Sequence, residues 1–477
     1  MTKFVLAAML LLVGLAGCSD PRADQAKALQ AELAAKLLQS APKDGAPGIL
    51  FETVIVSPDD ERDTGFKGGI TGLALDLGPQ GRLPIGTVSF VLLADGEDVR
   101  SFSDIRLPTE IAAKLTDGTD LAIAMPAAGG TAVWSNAQDA WIAADFDLGR
   151  VELTSVSEKL AAAVDLLRYK LETQPGTEGR SDQNSSLAAE GLAVKTEEGE
   201  GTAATVSVRY SMTGAKLAEL AKLNAEYQKA AVTQDVATLA DVLRRMTQAL
   251  RGFELRFEAT DSRQTEPEST EAVKLAASGF TFGMSGLDEA EAQMRLGLDL
   301  GGVELPEAAM LSEDERAAIP SALKLNLDLA KIPTAKLIEI ASSSTLGLGK
   351  DAGGPDTLQL AGMMMLFGLQ NAFAEAGTEL RISDSAIETI DARTAIAGML
   401  AMDPQAMMGA TGTIDLEVAG LDRLASRIER LVSPELAAWL KQAAVTGTAA
   451  DGSSLASFRL ELTADGSFTV NGQPLPM

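Results

Sequence analysis

The segment ATVSVRYSMTGAKLAELAKL, residues 204–223, changes its hydrophobic period halfway along. Its first half alternates apolar and polar residues, as expected of a strand with one apolar face. After a short turn, its second half places apolar residues at helical spacing. The segment therefore predicts a strand that leads directly into a helix.

The same pattern occurs twice more, at residues 322–341 and 412–431. A second helical stretch follows each copy, and a strand then returns: GFELRFEA (252–259), GTELRISD (377–384) and FRLELTADGSFTVNG (458–472). The octet LAAEGLAV (187–194) also recurs as LAASGFTF (275–282). We predict three strand–helix–helix–strand units in which Ser207–Glu258, Lys324–Ile382 and Thr413–Leu462 each place two strands in one antiparallel sheet. The alternative is an ordinary strand-to-helix pattern without true repetition.

Strands with one apolar face need a cover, and the paired helices of each unit are available to provide it. We therefore predict an α+β fold, a long curved antiparallel sheet with helices covering one face. The repeated body would occupy residues 187–477.

The region before this body, residues 48–172, predicts a β-meander with a closing helix over 156–171 (VSEKLAAAVDLLRYKL). Residues 173–186 (TQPGTEGRSDQNSS) predict an exposed loop. Trp134 and Trp141 flank a turn and could pair across a hairpin, either as edge packing or as a binding platform.

The amino terminus predicts export. Lys3 precedes an apolar run over 4–13, which is too short to span a bilayer and is typical of a secretion signal over residues 1–17. The run ends in LLLVGLAGCSD (10–20), and Cys18 is the chain's single cysteine. Residues 18–47 predict a lipidated end and a helical stalk, the helix covering 22–40.

Leu15-Ala16-Gly17-Cys18 resembles the lipobox of bacterial lipoproteins. The resemblance implies a diacylglycerol on Cys18, cleavage before it and acylation of the new amine, which together give stable membrane attachment. Ser19 is not the aspartate that retains lipoproteins at the inner membrane, which favours the outer membrane, facing the periplasm. Asp20 leaves the inner membrane open, and an ordinary cleaved signal is the alternative reading.

The end of the chain, FRLELTADGSFTVNGQPL, resembles the carboxyl end of an alphaproteobacterial family, domain of unknown function 2125. The resemblance is one of layout over most of the mature chain, without a sharp motif. It implies an envelope location and no catalytic activity.

The composition limits the kinds of function. A net charge of −27 repels nucleic acids, so we predict no nucleic-acid partner. Aromatic residues make up only 4% of the chain, so Ala, Leu, Val and Met must build its core.

The chain has no histidine, which removes most nucleophilic pairs and most zinc sites. S-x-x-K occurs at Ser40–Lys43 and Ser321–Lys324 without the other motifs of serine–lysine enzymes. The acidic clusters over 59–63 and 197–200 predict solvated turns. We therefore predict a protein that is not an enzyme and has no cofactor or metal.

Residues 358–376 predict an apolar helix that contains Met363, Met364, Met365 and Phe367. This helix could be buried under the sheet, or it could border a groove for apolar ligands. We predict a lipid-anchored module that binds an acyl chain, a lipid or another hydrophobic ligand. The alternatives are an envelope structural or assembly factor that binds proteins and, less favoured, a carboxylate-only hydrolase. An apolar sheet face left unfilled by the helices would favour the first.

Overall fold

The protein is described by a computed structural model. The described residues are 21–42, 48–62, 64–96, 98–126, 128–233, 235–267, 271–306, 311–347, 368–448 and 454–474.

The fold is mostly β: of the described residues, 55% lie in strands and 23% in helices, and the 25 strands that they form make one antiparallel sheet. The first thirteen strands are β1 (Gly48–Leu50), β2 (Thr53–Pro58), β3 (Gly65–Asp76), β4 (Arg82–Asp95), β5 (Val99–Arg106), β6 (Glu110–Lys114), β7 (Asp120–Ala124), β8 (Gly129–Ser135), β9 (Ala140–Asp147), β10 (Val151–Ser155), β11 (Leu160–Val164), β12 (Leu166–Pro175) and β13 (Ser181–Thr196). The others are β14 (Gly199–Ala215), β15 (Gly252–Thr265), β16 (Ala272–Ser285), β17 (Glu291–Gly301), β18 (Ala322–Pro333), β19 (Glu379–Glu388), β20 (Arg393–Met402), β21 (Ala410–Ala419), β22 (Val445–Thr448), β23 (Ser454–Leu462), β24 (Phe468–Val470) and β25 (Gln473–Pro474).

The helices of the described residues are α1 (Pro21–Gln39), α2 (Leu217–Thr233), α3 (Val236–Ala249), α4 (Glu313–Ala318), α5 (Thr334–Gly347), α6 (368–376), α7 (Leu421–Leu431) and α8 (Pro434–Ala443). A 3-10 turn covers Gly78–Gln80. None of these helices is long and apolar enough to cross a membrane.

The sheet branches at β13. The first half of this strand pairs with β12, and the sheet continues through β9, β8, β5, β4 and β3 to the short strands β1 and β2. The second half pairs with β11, which leads through β10 and β7 to β6.

On the other side of β13, the strands β14 to β21 follow one another in chain order, and β23 pairs with β21. The outer edge of β23 is shared by β22 and β24. Such short strands leave little exposed edge for unwanted pairing.

The three predicted strand pairs are confirmed. Ser207 lies opposite Glu258 in β14–β15, β18 pairs with β19, and β21 pairs with β23. The helices α2 and α3, α5 and α6, and α7 and α8 lie in the three connections.

The predicted α+β fold, with helices covering one face, is nevertheless wrong, because the protein is a mostly β molecule with one large antiparallel sheet. Each helix pair lies in a connection between strands, so it begins where a strand ends. The pair α2–α3 buries apolar side chains mainly against itself, in a cluster that contains Leu223 and Val242. Strands outside the units also separate them: β16 and β17 lie between the first and second units, and β20 lies between the second and third.

Two predictions for the first half are wrong. The helix over 156–171 is replaced by β11 and the start of β12, because β11 is held between β10 and β13 by backbone pairing on both sides. The loop over 173–186 is mostly strand: Gln174 in β12 lies opposite Asp182 in β13, and only 176–180 form the turn.

The helix predicted over 22–40 is confirmed as α1, but it is not a stalk. Ala26 and Leu29 are buried against the sheet in one cluster with Val54, Val56 and Phe66. This docking gives α1 the role of a core element.

Polar contacts hold α1 in its first turn and again in its second half. The Arg22 guanidinium donates to the carbonyl oxygens of Asp59, Arg62 and Gly65 at 2.9, 3.0 and 3.1 Å. Farther along, Glu32 pairs with Arg100 at 3.0 Å.

Candidate functional site: the open apolar face

One apolar row crosses almost the whole sheet. Directly paired residues of neighbouring strands place their side chains on the same face. Following these pairs from β3 to β24 gives a row of seventeen residues, of which only two, a serine and a tyrosine, carry a hydroxyl group. The row is Phe66, Leu92, Phe102, Ala132, Ala144, Leu171, Ser185, Tyr210, Leu255, Phe282, Leu296, Leu327, Ile382, Gly398, Ile414, Leu460 and Val470.

Both ends of this row are covered by the chain itself. At the first end, Phe66 and Leu92 are 2% and 0% exposed and belong to the cluster that α1 completes. At the other end, Phe458 and Val418 pack with Trp439 of α8 and with side chains of α7.

The middle of the face is open. Tyr210 and Leu255 in the row are 37% and 36% exposed, and Phe257 and Phe280 in the neighbouring row are each 37% exposed. We call the two rows on β14–β20 the open strip. Its apolar residues are Val208, Tyr210, Leu255, Phe257, Phe280, Phe282, Leu296, Leu298, Leu325, Leu327, Ile382 and Ile396. The same rows also contain Gly398 and, at the bulge of β19, the buried Ser385.

Strand spacing sets the dimensions of the open strip. Six intervals of about 4.8 Å give a length of about 29 Å, and two side-chain rows give a width of about 13 Å. The hydrocarbon core of a bilayer is about 30 Å thick and holds two layers of chains, so one acyl chain spans about 15 Å. The open strip is therefore long enough for an extended acyl chain.

Helices wall one long side of the open strip. Phe253 and Met284, one row farther along the strands, pack in a cluster with Leu337 of α5 and Phe373 of α6. This is the side on which α2, α3, α5 and α6 connect the strands.

The opposite face of the same strands is polar. Arg256 pairs with Glu258 at 2.6 Å, and Arg295 pairs with Asp328 at 3.0 Å. A concavity of about 340 Å³ on β12–β15 is lined mostly by charged and hydroxyl-bearing residues, and Tyr210 of the apolar row borders it. Exposed ion pairs of this kind contribute little stability, so this face serves mainly to keep the sheet solvated.

The predicted site residues Met363, Met364, Met365 and Phe367, and the lipidation residue Cys18, lie outside the described residues. The described end of the predicted 358–376 helix is α6, where Ala372 is 2% exposed. The residues of the open strip were not among the predicted site residues. Their signal was present as the alternation of the strands, but that alternation was assigned to a face covered by helices.

The predicted tryptophan pair is confirmed. Trp134 lies opposite Trp141 in the β8–β9 hairpin, with ring centroids 5.2 Å apart. Lys36 of α1 lies 5.1 Å from the centroid of the Trp134 ring. The pair thus packs at the docked helix.

The second S-x-x-K motif does not form a serine–lysine pair. The Ser321 hydroxyl donates to the carbonyl oxygen of Glu388 at 3.3 Å, whereas the Lys324 ammonium is paired with Asp384. In the first motif, Lys43 lies outside the described residues.

The acidic clusters differ from each other. Glu197 and Glu198 are exposed in the β13–β14 turn, as predicted. The prediction of a solvated turn is wrong for Asp59, which is 1% exposed and pairs with Lys67 at 3.0 Å. Burial alone would raise the pKa of Asp59, but the hydrogen bonds from Lys67 and from the Glu61 amide outweigh it and lower that pKa. No group of three or more metal-ligand side chains occurs in the described part of the chain.

Comparisons with known protein families, with curated proteins and with solved structures find no significant match to this chain. The resemblances to lipoproteins and to domain of unknown function 2125 therefore stay predictions.

Proposed function

We propose that the protein is a non-catalytic binding module that holds an acyl chain of a lipid on the open strip. The observation that carries this proposal is the change of exposure along one apolar face. Phe66 is 2% exposed beneath α1, whereas Phe257 is 37% exposed on the same side of the sheet. The two rows cover about 29 by 13 Å of the sheet, and the largest apolar patch of a typical soluble protein, about 300–600 Å², is often functional.

The size of the hydrophobic effect is compatible with reversible binding. A fully buried methylene contributes about 0.8 kcal/mol, and a chain on an open face is covered on one side only, so about a dozen methylenes contribute roughly 5 kcal/mol. Association costs about 4–15 kcal/mol in lost freedom. We therefore expect exchange of the bound lipid rather than permanent retention.

We further propose that the protein acts in the cell envelope, anchored through Cys18 and facing the periplasm, with the outer membrane favoured over the inner membrane. The support for this proposal is the lipobox-like Leu15-Ala16-Gly17-Cys18. The docked helix α1 begins at Pro21 and is fixed to the sheet through Arg22. Three residues of chain reach about 10 Å at most. An acylated Cys18 would therefore hold the first end of the sheet close to the membrane surface.

The test compares one substitution on each face of β15, made in the body without its signal and cysteine. Phe257→Glu places a carboxylate on the open strip, where its exposure keeps the charge in contact with water, so we expect folding to survive. Arg256→Gln changes the neighbouring residue on the polar face and is the matched control. Binding is measured with a fluorescent phospholipid delivered from vesicles, and folding is measured by thermal unfolding.

We expect Phe257→Glu to weaken lipid binding at least about tenfold, which corresponds to about 1.4 kcal/mol. Arg256→Gln should leave binding and melting temperature unchanged. Equal lipid binding by both variants, or no lipid binding by the unsubstituted body, would contradict the proposed function.

A further inference from the structure

The strands β13–β16 share one bend, on the side of the open strip nearest to the β13–β14 turn. Gly191 in β13 and Asp261 in β15 have left-handed backbones, with φ of +66° and +47°. The β13–β14 ladder passes over Gly191 and Ala204, and the β15–β16 ladder passes over Asp261 and Ala276. A left-handed residue inside a strand marks a local bend. Four neighbouring strands are therefore bent along one line.

Side-chain alternation shifts by one residue across the bend. A concavity of about 480 Å³ lies at the bend and is lined by Val206 and Ala259 on the side of the open strip. Beyond the bend it is lined by Ala203 and Ser262, each an odd number of residues away in the same strand. Regular alternation would place such residues on the opposite face of the sheet. The shift instead turns both parts of these strands toward one concavity.

The concavity continues the open strip. Phe257 belongs to both, and Val206 follows Val208 on the same face of β14. Beyond the bend, Leu192 and Leu275 line the concavity and are half-buried. The exposed surface of the lining is more apolar than polar. The apolar face therefore ends in a hollow at this corner and not at a flat edge.

The charges around the concavity do not select an ionic ligand. Glu198, Glu200 and Arg263 line it, and Lys195 pairs with Glu200. The carboxylates and the cations at this place are thus equal in number. The other polar side chains of the lining carry hydroxyl groups or an uncharged amide. The part of a lipid that this lining favours is therefore the part without polar groups.

The extent of cover distinguishes the concavity from the open strip. The hydrophobic effect grows with the apolar area that is removed from water. A chain on the open strip is covered on one side, whereas a chain end in the concavity is covered by strand segments on both sides of the bend. The same methylene therefore gains more in the concavity. The volume of about 480 Å³ is also within the range of about 300–1,000 Å³ that is usual for ligand pockets.

We infer that the concavity at the bend of β13–β16 holds the methyl end of the bound acyl chain, while the rest of the chain lies on the open strip. This inference rests on the proposed function, because it divides one ligand between two parts of the same apolar face.

Photo-cross-linking locates the chain end directly. Two palmitate probes are compared, one with a diazirine beside the methyl group and one with a diazirine beside the carboxylate. Each probe is bound to the unsubstituted body and irradiated, and the cross-linked peptides are identified by mass spectrometry. We expect the methyl-end probe to label residues beyond the bend, within 192–203, 262–265 and 272–275, and the carboxylate-end probe to label the open strip.

Filling the concavity tests its contribution to affinity. Gly201 lines the concavity between Val194 and Gln264, and a Cβ added there would meet its nearest atom at 4.0 Å, so Gly201→Phe adds a ring without a backbone clash. Gly301→Phe is the matched control, because Gly301 lies in β17 and a Cβ there would meet nothing within 4 Å. Palmitate binding is titrated for both variants, and thermal unfolding checks that each retains the fold. The cross-linking test needs no variant, so it does not depend on the folding of Gly201→Phe.

We expect Gly201→Phe to weaken palmitate binding at least about tenfold, which corresponds to about 1.4 kcal/mol, and Gly301→Phe to leave it unchanged. Equal affinities of the two variants, or labelling of the open strip alone by the methyl-end probe, would overturn the inference while the proposed function stands. If the unsubstituted body binds neither probe, the proposed function fails and this inference fails with it.

Discussion

Replacement of Leu29 by alanine tests whether α1 is a docked core helix. Leu29 is 4% exposed and packs against the buried residues of the first half of the sheet. Leu38, on the same helix, is 60% exposed, so Leu38→Ala is a control with the same chemistry. If α1 were a free stalk, the two substitutions would have the same small effect.

The expected loss follows from the burial of Leu29. Leu→Ala removes three carbons, and at about 0.8 kcal/mol each the transfer part is about 2.4 kcal/mol. The cavity left under α1 raises the loss to about 3 kcal/mol. Leu38→Ala should change stability by less than about 0.5 kcal/mol, since it removes no buried group.

Amide hydrogen exchange within α1 is the direct assay, because a helix docked at the edge of a core can open without global unfolding. A loss of about 3 kcal/mol corresponds to roughly 100-fold faster exchange. The α1 amides should therefore exchange about 100-fold faster in Leu29→Ala, with strands β14–β20 unaffected. Equal exchange rates in the Leu29 and Leu38 variants would refute the docking of α1 and its role as cover.

Two further predictions concern turns and packing. Hydrogen bonds from the Ser157 side chain and backbone lower the pKa of Asp120, so they stabilise the fold above about pH 4 and are lost as pH falls toward that lowered pKa. Asp120→Asn should have a lower melting temperature than the unsubstituted protein at pH 7, and its melting temperature should fall less between pH 4 and pH 2. The same fall in melting temperature for both proteins over this pH range would contradict the prediction. A Cβ on Gly68 would lie 2.1 Å from the Phe90 ring, whereas one on Gly69 would meet its nearest atom at 3.7 Å. Gly68→Ala should cost about 1–3 kcal/mol and Gly69→Ala should change stability by less than about 1 kcal/mol in denaturant unfolding, and equal losses would refute the assignment.

The repeats could be predicted because their signal is local. Each copy changes from alternation to helical spacing within twenty residues, and both periods are properties of a single segment. The pairing of Ser207 with Glu258 confirms the first unit residue by residue. Here, local pattern and long-range pairing agree.

The helix over 156–171 was predicted wrongly because its local pattern and its long-range pairing disagree. The run Ala161–Val164 has good helix propensity through its alanines, but Ala162 lies opposite Leu153 on one side and Val194 on the other. Backbone pairing on both edges outweighs a preference of a few tenths of a kcal/mol per residue. Such pairing depends on residues far away in the chain and has no local signal.

The open strip could be predicted as apolar, but not as open. Alternation assigns Phe66 and Leu255 equally to an apolar face, yet one is 2% exposed and the other 36% exposed. The difference lies in the docking of α1, which depends on contacts such as that of Arg22 with the 59–65 turn. Whether an apolar face is core or site is therefore a property of tertiary packing.

The first half of the sheet shows how the chain covers this face with its own residues. There, Ala26 and Leu29 of α1 lie over a row whose strand pairing continues through Leu171 and the single serine, Ser185, into the open strip. Because the row is continuous, the surface that α1 covers and the surface proposed to bind an acyl chain are two parts of one face. An amphipathic helix and an acyl chain meet the same requirement, which is to remove apolar side chains from water without leaving polar groups unpaired. The open strip is the part of that face for which the described chain supplies no such helix, and a ligand with a chain and no internal polar groups satisfies the requirement there.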